Sequence, residues 1–101
     1  MVKHMIIWNL KEEFSPEEKA QIKKEMKESL EALKGQVPGL VDIKVHIDPL
    51  PSSNGDVMLD STLESEEALK AYAVHPIHVE AANTKVRPFT ASRSCIDFEI
   101  K

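Results

Sequence analysis

The segment Val2–Leu10 is apolar on both of its alternating faces, and that restricts the folds open to this chain. Val2, His4, Ile6, Trp8 and Leu10 share one side of an extended backbone; Lys3, Met5, Ile7 and Asn9 share the other. Its β-branched and aromatic content predicts a strand. Such a strand needs apolar cover on each side, which a sheet with helices on one face does not supply.

The rest of the chain sets the element order. Ser15-Pro16-Glu17-Glu18 is a helix start: Ser15 caps, Pro16 suits the first helical position, and Glu18 closes a capping box. Ile22, Met26, Leu30, Leu33 and Val37 follow at helical spacing as one apolar stripe. The lysines and glutamates between them read as a solvated face. Gly35 is the expected C-cap, and Pro38-Gly39 ends the segment. Leu40–Asp48 alternates, with Val41, Ile43, Val45 and Ile47 on one side, as a half-exposed strand. Residues 49–55 form a loop, Val57–Leu63 a third strand, and Ser65-Glu66-Glu67 opens a second helix. A helical segment from Pro76 to about Val86, ended by Pro88, and a strand Ser94–Ile100 complete the chain.

The order β-α-β-β-α-β predicts an α+β, ferredoxin-like fold in one domain over 1–101, a four-stranded antiparallel sheet with helices on one face. The first strand is then left with an uncovered apolar side. Ile96, Phe98 and Ile100 of the last strand add to it. An uncovered apolar sheet face marks an interface. The simplest solution is a homodimer whose two sheets pack face to face and close an α/β barrel.

The chemistry gathers at Tyr72-Ala73-Val74-His75-Pro76-Ile77-His78. Pro76 lacks an N–H and biases His75 away from helical angles, so one helix stops near Val74 and another starts at Pro76. His75 is positioned to act as an N-cap-like residue. His78 falls in the first turn of the new helix, where the positive dipole end favours a neutral imidazole. Tyr72 and His78 then allow two readings: hydrogen-bonded ties across the helix break, or an oxyanion stabiliser beside a general acid or base. His4 lies on the inward face with Ile6 and Trp8, as a satisfied core residue or a ligand contact.

Charge and composition exclude several classes. A net charge of −4 argues against nucleic acid and anionic membranes as partners. No apolar run reaches the roughly 20 residues of a membrane span, and the start shows no signal-peptide pattern. A lone cysteine, Cys95, cannot form an internal disulfide and is expected to be buried packing in a cytoplasmic protein. Three glycines do not make a phosphate loop. His4, His75 and His78 lack tight metal-ligand spacing, so neither a metal nor a cofactor is expected.

The chain resembles the stress-responsive A/B barrel domain family over nearly its whole length. The resemblance rests on Val2-Lys3-His4, the Ser15-Pro16-Glu17-Glu18 helix start, Thr62-Leu63-Glu64-Ser65, and above all Tyr72-x-x-His75-Pro76-x-His78. It implies a ferredoxin-like dimer with a cavity between sheet and helices in each subunit. In a plant polyketide cyclase of this architecture, the tyrosine and histidine of that last motif serve an aldol cyclisation. By position these are Tyr72 and His78, and the family's first-strand histidine falls on His4. Val57 stands where that cyclase has a further pocket histidine.

Three functions follow as expectations. The first is a homodimer binding a small, mostly apolar organic molecule in the cavity, with His4, Ile6, Trp8 and His75 as candidate lining residues beside Tyr72 and His78. Trp8 has a core role as its alternative, and His75 a structural one at the break. The second is a cofactor-free cyclase, isomerase or oxygenase of small carbonyl compounds, with His78 as general acid or base and Tyr72 as oxyanion stabiliser. The third is a stress-protective assembly protein with a collapsed pocket.

Overall fold

A computed structural model describes residues 1–100. Four strands, β1 (Val2–Leu10), β2 (Leu40–His46), β3 (Val57–Leu63) and β4 (Thr90–Glu99), form an antiparallel sheet in the order β2-β3-β1-β4. Helices α1 (Pro16–Glu31), α2 (Glu66–Val74) and α3 (Pro76–Ala81) complete the predicted element order. The two central strands, β1 and β3, carry the most buried inner residues: Ile6, Trp8, Leu10, Val57, Leu59 and Leu63.

Helix α1 begins as its sequence requires. Ser15 Oγ accepts the Glu18 N–H at 3.1 Å, and Glu18 Oε1 accepts the Ser15 N–H at 2.9 Å. Ile22, Met26 and Leu30 bury their side chains against the sheet. The stripe outlasts the helix: Leu33 and Val37 are buried from the turns that follow. The helix C-cap is Ala32, not Gly35. Gly35 takes φ +86° in those later turns, a conformation that suits glycine.

Three boundaries depart from sequence expectation. In β2 the register against β3 slips between Leu40 and Asp42, leaving Val41 as an extra, unpaired residue. The bulge turns Val41 out of the inner row, so Leu40, Ile43 and Val45 form the buried set. The segment after α3 is not a continued α-helix. It widens into a π turn, Ala82–Val86, and tightens into a 3-10 turn, Arg87–Phe89. Pro88 sits inside that last turn instead of ending the helix. Finally, β4 starts at Thr90, four residues before the expected Ser94.

The helices pack over β1, β2 and β3. Strand β4 is exposed from Ala91 onward, on both faces. On the sheet's outer side, Ile7, Ile96 and Phe98 are exposed by 45%, 63% and 46%. They adjoin Met5, which pairs with Ile96 across the strands, and the Lys3–Asp60 ion pair at 2.9 Å. The apolar outer face anticipated from β1 is therefore present and continues onto β4.

Gly39 has φ +85°, and a Cβ there would stand 2.7 Å from Ala68 Cβ on α2. Gly35 has the same backbone sign with open space around it. Gly35→Ala is expected to cost about 1 kcal/mol from backbone strain alone. Gly39→Ala should cost about 2 kcal/mol or more, since strain and a clash combine. Urea unfolding at one fixed protein concentration measures both; equal losses would show that the α2 contact does not constrain the β2 entry.

Candidate functional site between sheet and helices

Ser65 starts α2: its Oγ accepts the Ala68 N–H at 3.1 Å, with Glu66 and Glu67 in the positive first turn. The helix runs to Val74 and turns Tyr72 fully inward, 1% exposed. His75 then takes φ −64° and ψ 131°, the extended conformation that a following proline imposes. Its Nδ1 accepts the Ile77 N–H at 3.2 Å, and its carbonyl accepts the Val79 N–H at 2.9 Å. His75 is thus the N-cap of α3 and is not among the residues lining the cavity.

The restart at Pro76 brings His78 back over Tyr72, with ring centroids 4.2 Å apart and planes at 36°. His78 Nδ1 donates to the Ala73 carbonyl across the break at 3.3 Å, which leaves Nε2 as the free nitrogen. Burial lowers the His78 pKa from its ordinary value. The Ala73 bond opposes this, and the positive charges of Arg87 and Arg93 add to it. The imidazole is accordingly neutral at pH 7 and able to accept a proton.

From the sheet side, His4 is 7% exposed beside Ile6 and Trp8, each 5% exposed. Its ring meets Tyr72 edge-on at a centroid distance of 6.0 Å. Its Nδ1 is 2.5 Å from Asp97 Oδ1, directly across the β1–β4 pairing. Tyr72 therefore lies between two histidines, one from the sheet and one from the helix restart.

The Tyr72 hydroxyl is the distinctive atom of the site. Among the described residues it is the one buried side-chain polar atom without a hydrogen-bond partner. Burial also raises its pKa well above the ordinary tyrosine value, so it stays protonated and remains a donor. Leaving such a group unpaired costs about 1–3 kcal/mol. Tyr72 belongs to the wall of a cavity of about 200 Å³, which His4, Ile6, Trp8, Leu59, Leu69, His78 and Val86 line with it among others. Val57, in the place of a further pocket histidine, is buried and not part of that lining. The cavity adjoins a wider open groove along the inner side of β4, of about 930 Å³, with which it shares His4, Leu69, Ala73 and Arg93.

Cys95 departs from expectation. It is exposed on β4, with Sγ 3.6 Å from Asp97 Oδ1 and 3.8 Å from His4 Nδ1. Desolvation, and then the neighbouring Asp97 charge, raise its pKa and keep it a thiol. These three residues bring metal-ligand atoms within 4.8 Å of one another. The His4–Asp97 contact is nevertheless a hydrogen bond, not a ligand pair. Nitrogen and oxygen ligands of tetrahedral zinc stand about 3.3 Å apart.

Asp97, Arg87 and Arg93 were not singled out from the sequence. A signal for two of them existed. Once Ile96, Phe98 and Ile100 are put on the outer face, Arg93, Cys95 and Asp97 must face inward, opposite Trp8, Ile6 and His4. Arg87 had no such signal, because it is placed by the π turn.

Comparison with known proteins agrees with this architecture. A family model, the Stress Responsive A/B Barrel Domain, matches residues 2–100. A dimeric protein of unknown function with a ferredoxin-like fold from Bacteroides fragilis is similar at 30% identity. That match covers 98% of this chain and 95% of that one, with a TM-score of 0.91. A dimeric ferredoxin-like protein of unknown function from Thermobifida fusca is 23% identical over 98% and 90%, with a TM-score of 0.78. The hydroxynitrile lyase of Passiflora edulis shares the fold at 18% identity over 99% and 93%, with a TM-score of 0.74. No curated protein matches the chain. The chain belongs to the stress responsive A/B barrel domain family.

Proposed function

We propose that this protein is a cytoplasmic homodimer that binds a small, mostly apolar organic molecule beneath the sheet. The observation that carries the binding reading is the unpaired hydroxyl of Tyr72, a residue that lines the cavity together with the apolar Ile6, Trp8, Leu59 and Val86. A ligand carbonyl accepting from that hydroxyl would satisfy the orphaned donor, and Ile6 and Trp8 would hold the ligand's apolar body. The open cavity also speaks against the collapsed pocket of a purely structural assembly protein. No helix among the described residues is long and apolar enough to cross a membrane.

Acetophenone, an aryl ketone, is a suitable probe. Saturable NMR shifts confined to the cavity are expected with the wild type. Tyr72→Phe should weaken binding about five-fold, the worth of one neutral hydrogen bond. It should leave unfolding stability unchanged or raised, since it removes an unpaired buried group. A stability loss above about 2 kcal/mol would make the hydroxyl structural and overturn the reading.

The homodimer rests on the exposed Ile7, Ile96 and Phe98 face and on the dimeric state of the similar bacterial proteins. Ile96→Asp is expected to convert a dimer into monomers in sedimentation velocity. A monomeric wild type at micromolar concentration would refute it.

A second reading is enzymatic. Neutral His78, 4.2 Å from Tyr72 ring to ring, would remove a proton next to a carbonyl whose oxygen Tyr72 holds. Deuterium exchange into the acetophenone methyl group in D2O tests this directly. Exchange above background, lost in a folded His78→Ala variant, is expected; background exchange in the wild type would remove the enzyme reading for such ketones.

The lowered His78 pKa has a sign-determined consequence. The unfolded chain binds a proton at His78 more readily than the folded one, so stability falls as pH drops below about 6.5. The contribution is fully present above that value. Denaturant midpoints between pH 7.5 and 5 should therefore decline less steeply in His78→Gln than in the wild type. Parallel slopes would mean that the imidazole is equally free to protonate in both states.

A further inference from the structure

The chain has thirteen lysines and arginines and seventeen aspartates and glutamates, yet only two arginines, Arg87 and Arg93. Both line the small cavity, and no lysine, aspartate or glutamate does. They come from different elements, Arg87 from the 3-10 turn after the π turn and Arg93 from β4. Both are exposed, so they form the open side of a cavity whose Tyr72 end is buried. Neither is in an ion pair among the described residues. Arg87 donates only to the neutral Asn83 amide oxygen, and the nearby Asp97 is engaged by His4. The result is a net positive cavity in a net negative chain.

Guanidinium groups bind carboxylates with paired, charge-assisted hydrogen bonds, a geometry that lysine does not provide. We propose that the ligand is a small organic acid, its apolar body against Ile6 and Trp8 and its carboxylate at Arg87 and Arg93. This rests on the cavity being a ligand site and adds the charge of what enters it. The wider groove alongside carries Glu64, Glu66, Glu67, Asp97 and Glu99 against Lys70 and the shared Arg93, a net negative lining that disfavours an anion. That field directs the carboxylate to the arginine side, next to Thr90, and away from the start of α2.

The test uses three probes of one shape, benzoate, benzamide and benzylamine, titrated by NMR into the protein at low salt. Wild type is expected to bind benzoate about ten-fold tighter than benzamide, with benzylamine the weakest. In the Arg87→Gln, Arg93→Gln double variant the affinities for benzoate and benzamide should converge, benzoate losing its roughly ten-fold advantage. Arg93→Gln alone, which breaks no ion pair, should halve the preference on a logarithmic scale and serves if the double variant does not fold. Equal binding of benzoate and benzamide in the wild type, tighter benzylamine, or a preference that survives both substitutions would overturn the assignment while leaving a neutral-ligand cavity standing. Absence of saturable shifts with all three probes would reject the ligand cavity and the acid together.

Discussion

One layer of helices cannot cover four strands on both sides, and this shortage organises the molecule. The helices shield the inner face of β2, β3 and β1, where Ile43, Val45, Leu59 and Leu63 are almost wholly buried. They do not extend along β4, which stays exposed on both of its faces. At the edge of the covered region the inner face passes from packed core to open groove, and the cavity lies at that transition. On the outer side the loop at Gly55 touches Ile7, no helix among the described residues packs there, and Ile7, Ile96 and Phe98 remain for another surface to bury.

The break at His75-Pro76 converts that transition into a site. A continuous helix would have set Tyr72 and His78 about 120° apart around its axis and about 9 Å apart along it. The extended conformation at His75 resets the direction, so the His78 ring returns to within 4.2 Å of the Tyr72 ring. The π turn after α3 makes a second adjustment by adding width to the wall. Ala82 and Val86 are buried there, and Arg87 follows at the cavity's edge. Such turns recur at functional sites because they move side chains without ending the helix.

Polar groups in this environment have few partners, which gives each of them a definite state. His78 is kept neutral by burial and held by the Ala73 carbonyl. His4 is held by Asp97 from the neighbouring strand. Tyr72 is held by packing alone, its hydroxyl unpaired. A site tuned only for stability would pair that hydroxyl or replace it with phenylalanine, because a buried unpaired donor lowers stability.

Much of this was legible in the amino-acid order. Ser15-Pro16-x-Glu18 determined where α1 begins, His75-Pro76 determined where α2 ends and α3 restarts, and the two-sided apolar pattern of β1 determined that one sheet face would be left uncovered. These are local effects: caps, missing N–H groups and strand alternation act within a few residues. Val41, Arg87 and Cys95 were not legible in that way. A bulge moved Val41 off the inner row, a π turn placed Arg87, and incomplete helix cover left Cys95 exposed. The contact of His4 with Asp97, 93 positions apart, and the absence of a partner for the Tyr72 hydroxyl likewise depend on how distant segments meet. Local chemistry sets which elements form and where they stop, whereas the partner of each buried polar atom is decided only when the strands and helices are packed together.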